Sequence, residues 1–201
     1  EDKMYENKIM EKESMRGKAV SKIITSLHER NPREEQHSER VSRLCRKIGE
    51  ALNLSVNEIK RLGVACFLHD IGKIAIKEDV LNKPGKLTDQ EWHEIKRHSD
   101  IGYRILSSSY DMFDLADWVF AHHERWDGKG YPKGLKGRNI PLMARIITLV
   151  DAYDAMTSKQ IYCETKKEEE VISEIRNNAG KQFDPDLART FVEKVLKKSW
   201  T

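Results

Sequence analysis

Cysteine is scarce in this chain of 201 residues: Cys45, Cys66 and Cys163 are odd in number and widely spaced, with no Cys-x-x-Cys pair. Neither a disulfide framework nor a cysteine-rich zinc site is expected, and free thiols packed in a reducing cytosol are. Aromatic residues make up only 7% and prolines number 5, and no alternating apolar pattern longer than a few residues marks a strand. No apolar run approaches the ~18 residues needed to span a bilayer, and the mean hydropathy is −0.69. The opening Glu1-Asp2-Lys3-Met4 lacks the basic-then-apolar layout of a signal peptide, so a cytoplasmic location is expected. Charge of one sign is also missing. Lys and Arg total 36 against 33 Asp and Glu, a net +3, which does not supply the field of a protein that binds polymeric nucleic acid. Small anionic substrates stay open, because a few local cations suffice for them.

What is abundant is charge of both signs. With 34% charged and 38% hydrophobic residues, the composition fits amphipathic helices with Lys, Glu and Arg on their outer faces. Residues 4–29 carry Met4, Ile9, Met10, Met15, Val20, Ile23, Ile24 and Leu27 at three-to-four spacing, a helical pattern that Gly17 weakens near its middle, so that two helices could meet near Ser14–Gly17. Asn31-Pro32 ends it, since a residue before proline is pushed out of the helical region. A second helix is predicted from about Arg33 to Leu52. Capping boxes at Ser55–Glu58, Thr88–Glu91 and Thr165–Glu168 open helices running to Leu68, to about His98 and to about Asn178. Residues 110–123 and 140–157 are helical by pattern, and Asp184-Pro185 opens the last helix. Between Trp126 and Asn139 fall four of the 11 glycines, marking an irregular loop. The expected fold is an all-α bundle.

Three apolar helices end in polar groups. His69-Asp70 follows Leu62, Val64, Ala65, Phe67 and Leu68; His122-His123-Glu124 follows Leu115, Ala116, Trp118, Val119 and Phe120; Asp151 follows Ile146, Ile147, Leu149 and Val150, with Asp154 three residues on, on the same face. Carboxylates delivered by buried runs are costly unless paired or bound to a cation. A single His-Asp or His-His pair is commonplace in packing, but three such deliveries without a thiolate point to metal binding. Imidazole mixed with carboxylate suits iron, manganese, nickel, cobalt or catalytic zinc rather than a closed structural zinc site. His28 is read as a helix C-terminal cation and His93 as solvent-facing.

The ordered motifs His37-x-x-Arg40-Val41, His69-Asp70-Ile71-Gly72-Lys73, Leu81-Asn-Lys-Pro-Gly-Lys-Leu-Thr88, Lys96-Arg97-His98, Ile101-Gly-Tyr-Arg-Ile-Leu106, His122-His-Glu-Arg-Trp-Asp127-Gly-Lys-Gly130-Tyr131-Pro132, Ile140-Pro-Leu-Met-Ala-Arg145 and Asp151-Ala-Tyr-Asp154-Ala-Met-Thr-Ser158 resemble the HD-GYP proteins. These are a subgroup of the HD phosphohydrolases associated with hydrolysis of the bacterial second messenger cyclic di-GMP to pGpG or GMP. The match spans roughly residues 18–198. It implies an HD-type helical bundle with a Gly-rich GYP loop over residues 18–201, preceded by residues 1–17 as the tail of an upstream regulatory domain. That short stretch weakly resembles the final helix of a GGDEF-type or similar sensory domain, with the helix to residue 29 as a linker or homodimer contact.

The resemblance implies two divalent transition-metal ions, iron or manganese first, with nickel, cobalt or zinc as alternatives. His37, His69, Asp70 and Asp151 would hold the first and His98, His122 and His123 the second, with Asp70 shared. A hydroxide bridging ions ~3.5–4 Å apart would then attack the phosphodiester. Catalytic roles fall on Asp70 and Lys73, and substrate contacts on Lys73, Gly130, Tyr131, Pro132 and Arg145. The expected partner is a cyclic dinucleotide. Two departures stand out. Where some family members carry a third-metal Glu, four residues before the first ligand, this chain has Arg33; Glu34 and Glu35 are out of phase with His37, so two ions are expected. Where the family commonly continues Asp-Arg-Pro-Tyr-Arg, this chain reads Lys159-Gln160-Ile161-Tyr162-Cys163, which loses two guanidiniums suited to phosphate. Three function classes therefore stay open: a cyclic di-GMP phosphodiesterase, a degenerate signalling module that binds nucleotide or protein without turnover, and a hydrolase of another cyclic dinucleotide.

Overall fold

The computed structural model describes residues 15–158 and 167–201, and among these no strand occurs, only an isolated bridge between Ala179 and Phe183. The all-α expectation is borne out. Helix α1 (Met15–Arg30) is continuous through Gly17 and buries Val20, Ile24 and Leu27, one four-three stripe. Asn31 breaks it, and Pro32 sits at the first position of α2 (Pro32–Ala51), where its missing N–H costs nothing. Helix α3 (Val56–Leu68) opens with the expected reciprocal cap: Ser55 N–H donates to Glu58 Oε2 at 2.8 Å and Glu58 N–H to Ser55 Oγ at 3.3 Å.

The chain then turns through a 3₁₀ segment (Ile71–Ala75), the short α4 (Glu78–Leu81) and α5 (Asp89–Lys96), which Thr88 and Glu91 cap in the same reciprocal manner. Helix α6 (His98–Ser107) was not foreseen: the helix expected to stop near His98 bends at Arg97 and restarts, so His98 begins a new element. Helix α7 (Phe113–Phe120) follows a 3₁₀ turn (Tyr110–Met112) and ends three residues earlier than the periodicity predicts, leaving His122 and His123 in a turn. Helix α8 (Leu142–Thr157) follows Pro141. Helix α9 (Glu168–Asn178) has Lys167 as its N-cap without a side-chain bond; the cap predicted at Thr165 lies outside the described residues. Helix α10 (Pro185–Thr190) is capped by Asp184 and runs into a π turn (Phe191–Val195).

Helices α2, α3, α7 and α8 surround one core, in which Val41, Cys45, Ile48, Leu62, Leu68, Leu115, Val119, Ile146, Leu149 and Phe191 are fully or almost fully buried. At ~1.5–3 kcal/mol per buried aliphatic or phenyl side chain, this cluster is what holds the polar helix ends in place. Cys45 and Cys66 are buried free thiols.

His28 is a correction. It is not a helix-end cation but a buried imidazole, edge-on to Phe67 at 5.3 Å, with an Nε2 that has no hydrogen-bond partner. Burial holds its pKa below the ordinary 6.5, against the opposing pull of Glu35 and Glu39. Because the unfolded chain takes up that proton and the folded one resists it, stability is lost as pH falls below 6.5. His28→Leu is expected to raise stability by about 1 kcal/mol and to flatten this acid limb, as read by denaturant titration at pH 5.5 and 7.5.

Candidate metal centre

Five segments meet at one end of the core. His37 projects from the second turn of α2, His69 and Asp70 from the end of α3, His98 from the start of α6, His122 and His123 from the turn after α7, and Asp151 and Asp154 from α8. Each of three imidazoles is fixed by the helix it terminates: Nδ1 of His69, His98 and His122 lies 2.6, 2.6 and 2.5 Å from the carbonyl of Cys66, Ile95 and Val119 respectively. A carbonyl only accepts, so each Nδ1 carries the proton and each Nε2 presents a lone pair. His37 is fixed likewise by a carboxylate, Nδ1 to Asp154 Oδ2 at 2.8 Å.

The Nε2 atoms then face one another. His37 and His69 are 3.3 Å apart, His98 and His122 3.3 Å, and His98 and His123 3.1 Å. With Nδ1 of His98 and His122 both protonated, their Nε2 lone pairs oppose each other at 3.3 Å and make no hydrogen bond, a repulsion that a cation between them relieves, whereas His37 can donate from Nε2 towards Asp151. Asp70 lies between the two groups, Oδ2 at 3.2 Å from His69 Nε2 and Oδ1 at 3.4 Å from His98 Nε2. Asp151 Oδ1 is 3.3 Å from His37 Nε2 and 3.9 Å from His69 Nε2. Two sets can hold a metal ion, Asp70 with His98, His122 and His123, and His37 with His69 and Asp70, and the one carboxylate belongs to both. The donor chemistry fits two divalent ions.

Electrostatics divides the halves. Burial and then His98 push the His123 pKa down to about 3, and burial and then His123 hold His122 well below its ordinary value. Burial opposes protonation of His37 too, but hydrogen bonds to Asp151 and Asp154 outweigh it and hold its pKa at about 10. Asp154, buried, is therefore more than a cap: it also accepts from Arg40 Nε at 2.7 Å and from a second Arg40 nitrogen at 2.9 Å. Asp154→Ala frees the His37 ring, and a loss of roughly 10–100-fold in metal affinity is expected, measured by competition with a chelator.

Lys73 lies 2.6 Å from Asp70 Oδ2 and 3.0 Å from Glu34 Oε1. Burial disfavours its ammonium, but Asp70 and Glu34 more than offset this and raise its pKa above the lysine range. Glu34 corrects a sequence expectation. It is not out of phase with His37 but one turn away on the same face, buried and directed at Lys73. Arg33, Glu34, Arg40, Lys73, Trp92 and Tyr131 are among the residues lining a cleft of about 340 Å³ that opens over the histidines. Glu34, Arg40 and Trp92 carried no expected role in the sequence; the i, i+3 spacings about His37 were the available signal for the first two.

The loop residues behave differently from one another. Tyr131 lines the cleft and stacks on His123, centroids 4.8 Å apart. Gly130 does not line it. An added Cβ would lie 2.4 Å from Arg125 N and 2.6 Å from the His123 carbonyl, so the residue allows the loop to close on the His122-His123 turn. Pro132, after a cis bond, is likewise outside the cleft lining. Arg145 is a correction: its guanidinium donates to Asp184 Oδ2 at 2.5 Å and to the Ile140 carbonyl at 3.0 Å and lies over Trp126, away from the cleft. Gln160 and Cys163 lie outside the described residues.

A family profile described as "HD domain" matches residues 20–187. The chain belongs to the HD domain family. This HD domain is 41% identical over 177 residues to a cyclic di-GMP phosphodiesterase of Thermotoga maritima, covering 87% of this chain and 48% of that protein. It is 39% identical over 181 residues to the cyclic di-GMP phosphodiesterase response regulator RpfG of Xanthomonas campestris, 89% and 47%. A 3'3'-cGAMP-specific phosphodiesterase 2 of Vibrio cholerae is 34% identical over 176 residues, 87% and 34%. The chain spans about half the length of the first two. Its fold is that of a Bdellovibrio bacteriovorus protein described as HDG"Y"P, at a TM-score of 0.64 and 18% identity over 82% of this chain and 52% of that one. The HD-GYP resemblance is borne out. Among the described residues no helix of this HD domain is long and apolar enough to cross a membrane.

Proposed function

We propose that this HD domain is a metal-dependent phosphodiesterase that hydrolyses cyclic di-GMP to pGpG or GMP. The observation that carries the proposal is the convergence of five imidazole Nε2 atoms on one buried carboxylate that belongs to both potential metal-binding sets. His37, His69, Asp70 and Asp151 would hold one divalent ion and His98, His122 and His123 the other, with Asp70 serving both; iron or manganese leads, with nickel, cobalt and zinc compatible with the same donors. Bound there, two cations supply Lewis-acid polarisation of the phosphodiester and lower the pKa of water.

The protein's own contribution is orientation and charge. The helix-end carbonyls hold His69, His98 and His122 in the Nδ1–H tautomer, and Asp154 orients the His37 ring. Lys73, kept charged by Asp70 and Glu34, places a fixed ammonium at the cleft floor. Its remaining N–H is suited to a phosphate oxygen as negative charge builds on the departing ribose 3′ oxygen. Tyr131 offers a ring face to the nucleotide. In this reading residues 1–17 join the hydrolase domain, residues 18–201, to a regulatory domain. The test is anaerobic purification with metal quantification, followed by chromatography of cyclic di-GMP incubated with wild type and Asp70→Ala. Hydrolysis by wild type alone supports the proposal; none by either, with iron or manganese supplied, overturns it. The cGAMP-specific relative favours one second reading, the same chemistry on a mixed cyclic dinucleotide.

A further inference from the structure

The bases of a cyclic dinucleotide need a surface that the metal centre does not supply. Among the described residues, the exposed large hydrophobic side chains are Val56, Trp92, Tyr110 and Phe113, and of these only Trp92, 45% exposed, lines the cleft. It stands on α5 opposite the Gly-rich loop, with Ile95 one turn further along the same lining wall. Its ring meets Tyr131 edge-to-face, centroids 6.4 Å apart and planes at 81°, while Tyr131 is itself stacked on His123. The two rings thus make a corner leading from solvent to the histidines. Lys96 is outside the cleft lining itself but bounds its rim, with Nζ over both rings, 5.6 Å from each centroid.

Tyr131 and Lys96 cover only part of this indole, and the 45% left to solvent at the mouth of a charged cleft is unfavourable there. A flat heterocycle laid on it removes that penalty, and one base on one aromatic ring is a sequence-tolerant contact. Lys96 adds discrimination. An ammonium seated on ring faces still has N–H donors to direct at a neighbouring acceptor. Guanine offers two adjacent acceptors, N7 and O6, whereas adenine pairs its N7 with an amino donor that a lysine cannot satisfy.

We infer that Trp92 and Lys96 form a nucleobase subsite, Trp92 stacking one base of the substrate and Lys96 selecting guanine over adenine. This rests on the cyclic dinucleotide reading of the cleft and deepens it by assigning base identity to α5.

Calorimetric binding of non-hydrolysable phosphorothioate analogues of cyclic di-GMP and cyclic di-AMP to the metal-loaded protein tests it. Trp92→Ala is expected to weaken the guanine analogue ~tenfold and Trp92→Phe by no more than about threefold. Lys96→Met is expected to cut the guanine-over-adenine preference ~tenfold. Equal affinity in wild type and Trp92→Ala overturns the stacking role, a preference unmoved by Lys96→Met overturns the selection, and failure of the wild type to bind either analogue overturns both. Hydrolysis of bis(p-nitrophenyl) phosphate by the wild type, a phosphodiester without a base, reports separately on the metal chemistry. Turnover of that compound without Trp92-dependent binding leaves the phosphodiesterase and removes the subsite. Trp92-dependent binding without turnover does the reverse.

Discussion

Asp70→Ala is expected to lower hydrolysis of cyclic di-GMP by on the order of 10³-fold or more, since several kcal/mol of transition-state charge stabilisation goes with the ions and each ~1.4 kcal/mol is tenfold in rate. It is also expected to reduce bound metal from about two ions per chain to well under one. The reason is positional: Asp70 supplies an oxygen to each nitrogen group, 3.2 Å from His69 and 3.4 Å from His98, so one deletion empties both sets. The same carboxylate also holds Lys73 at 2.6 Å, and its loss leaves that ammonium tied to Glu34 alone. Elemental analysis and product chromatography on one anaerobic preparation read both effects. A variant that keeps its full metal content and most of its rate would show that Asp70 is a structural acid, with the ions held elsewhere.

Gly72→Ala is expected to be the most damaging single methyl group in the chain. An added Cβ would lie 1.9 Å from the His98 carbonyl and 2.7 Å from Gly102 N, both backbone atoms that no rotamer change can move aside. The 3₁₀ turn after Asp70 packs directly on α6 there, and that contact sets the distance between His98 and Asp70. Relief requires the two segments to part, at a cost of ~3 kcal/mol or more, which corresponds to a fall in Tm of roughly 6–12 °C for a domain of this size. The second ion, which depends on His98, should be lost before the first. Thermal melts with metal quantification check both, and an unchanged Tm would mean that the close approach of these segments is not needed.

Much of this was legible in the chain. The helices were foreseen where an apolar stripe coincided with a cap or a proline, as at Ser55–Glu58, Thr88–Glu91 and Pro32. The missed element, α6, has neither signal at its start: Arg97 keeps helical angles and no side chain caps the new helix. Convergence of the seven expected ligands is a long-range property, but the apolar runs that deliver them are local and could be seen. What could not be read was competition for a side chain. Arg145 has a family motif around it, yet Asp184, 39 residues later, takes its guanidinium. Glu34 shares a face with His37 at three-residue spacing, and the partner that turns it inward, Lys73, lies 39 residues later. His28 sits at a helix end, where a cation is the local expectation, and only tertiary packing against Phe67 makes it neutral.

The bonds from His69, His98 and His122 to Cys66, Ile95 and Val119 have a further consequence. Those carbonyls belong to the last turns of α3, α5 and α7, where the regular i to i−4 ladder runs out of donors. The imidazole is therefore also the helix stop, and the two duties cannot be separated by substitution. Aspartate, glutamate and thiolate can all grip a transition metal, but as anions none has a proton to give a carbonyl. In the proposed centre, exchanging the donor type at any of these three positions would also remove the helix stop, which leaves His37, Asp70, Asp151 and His123 as the positions where the donor set can change without that cost.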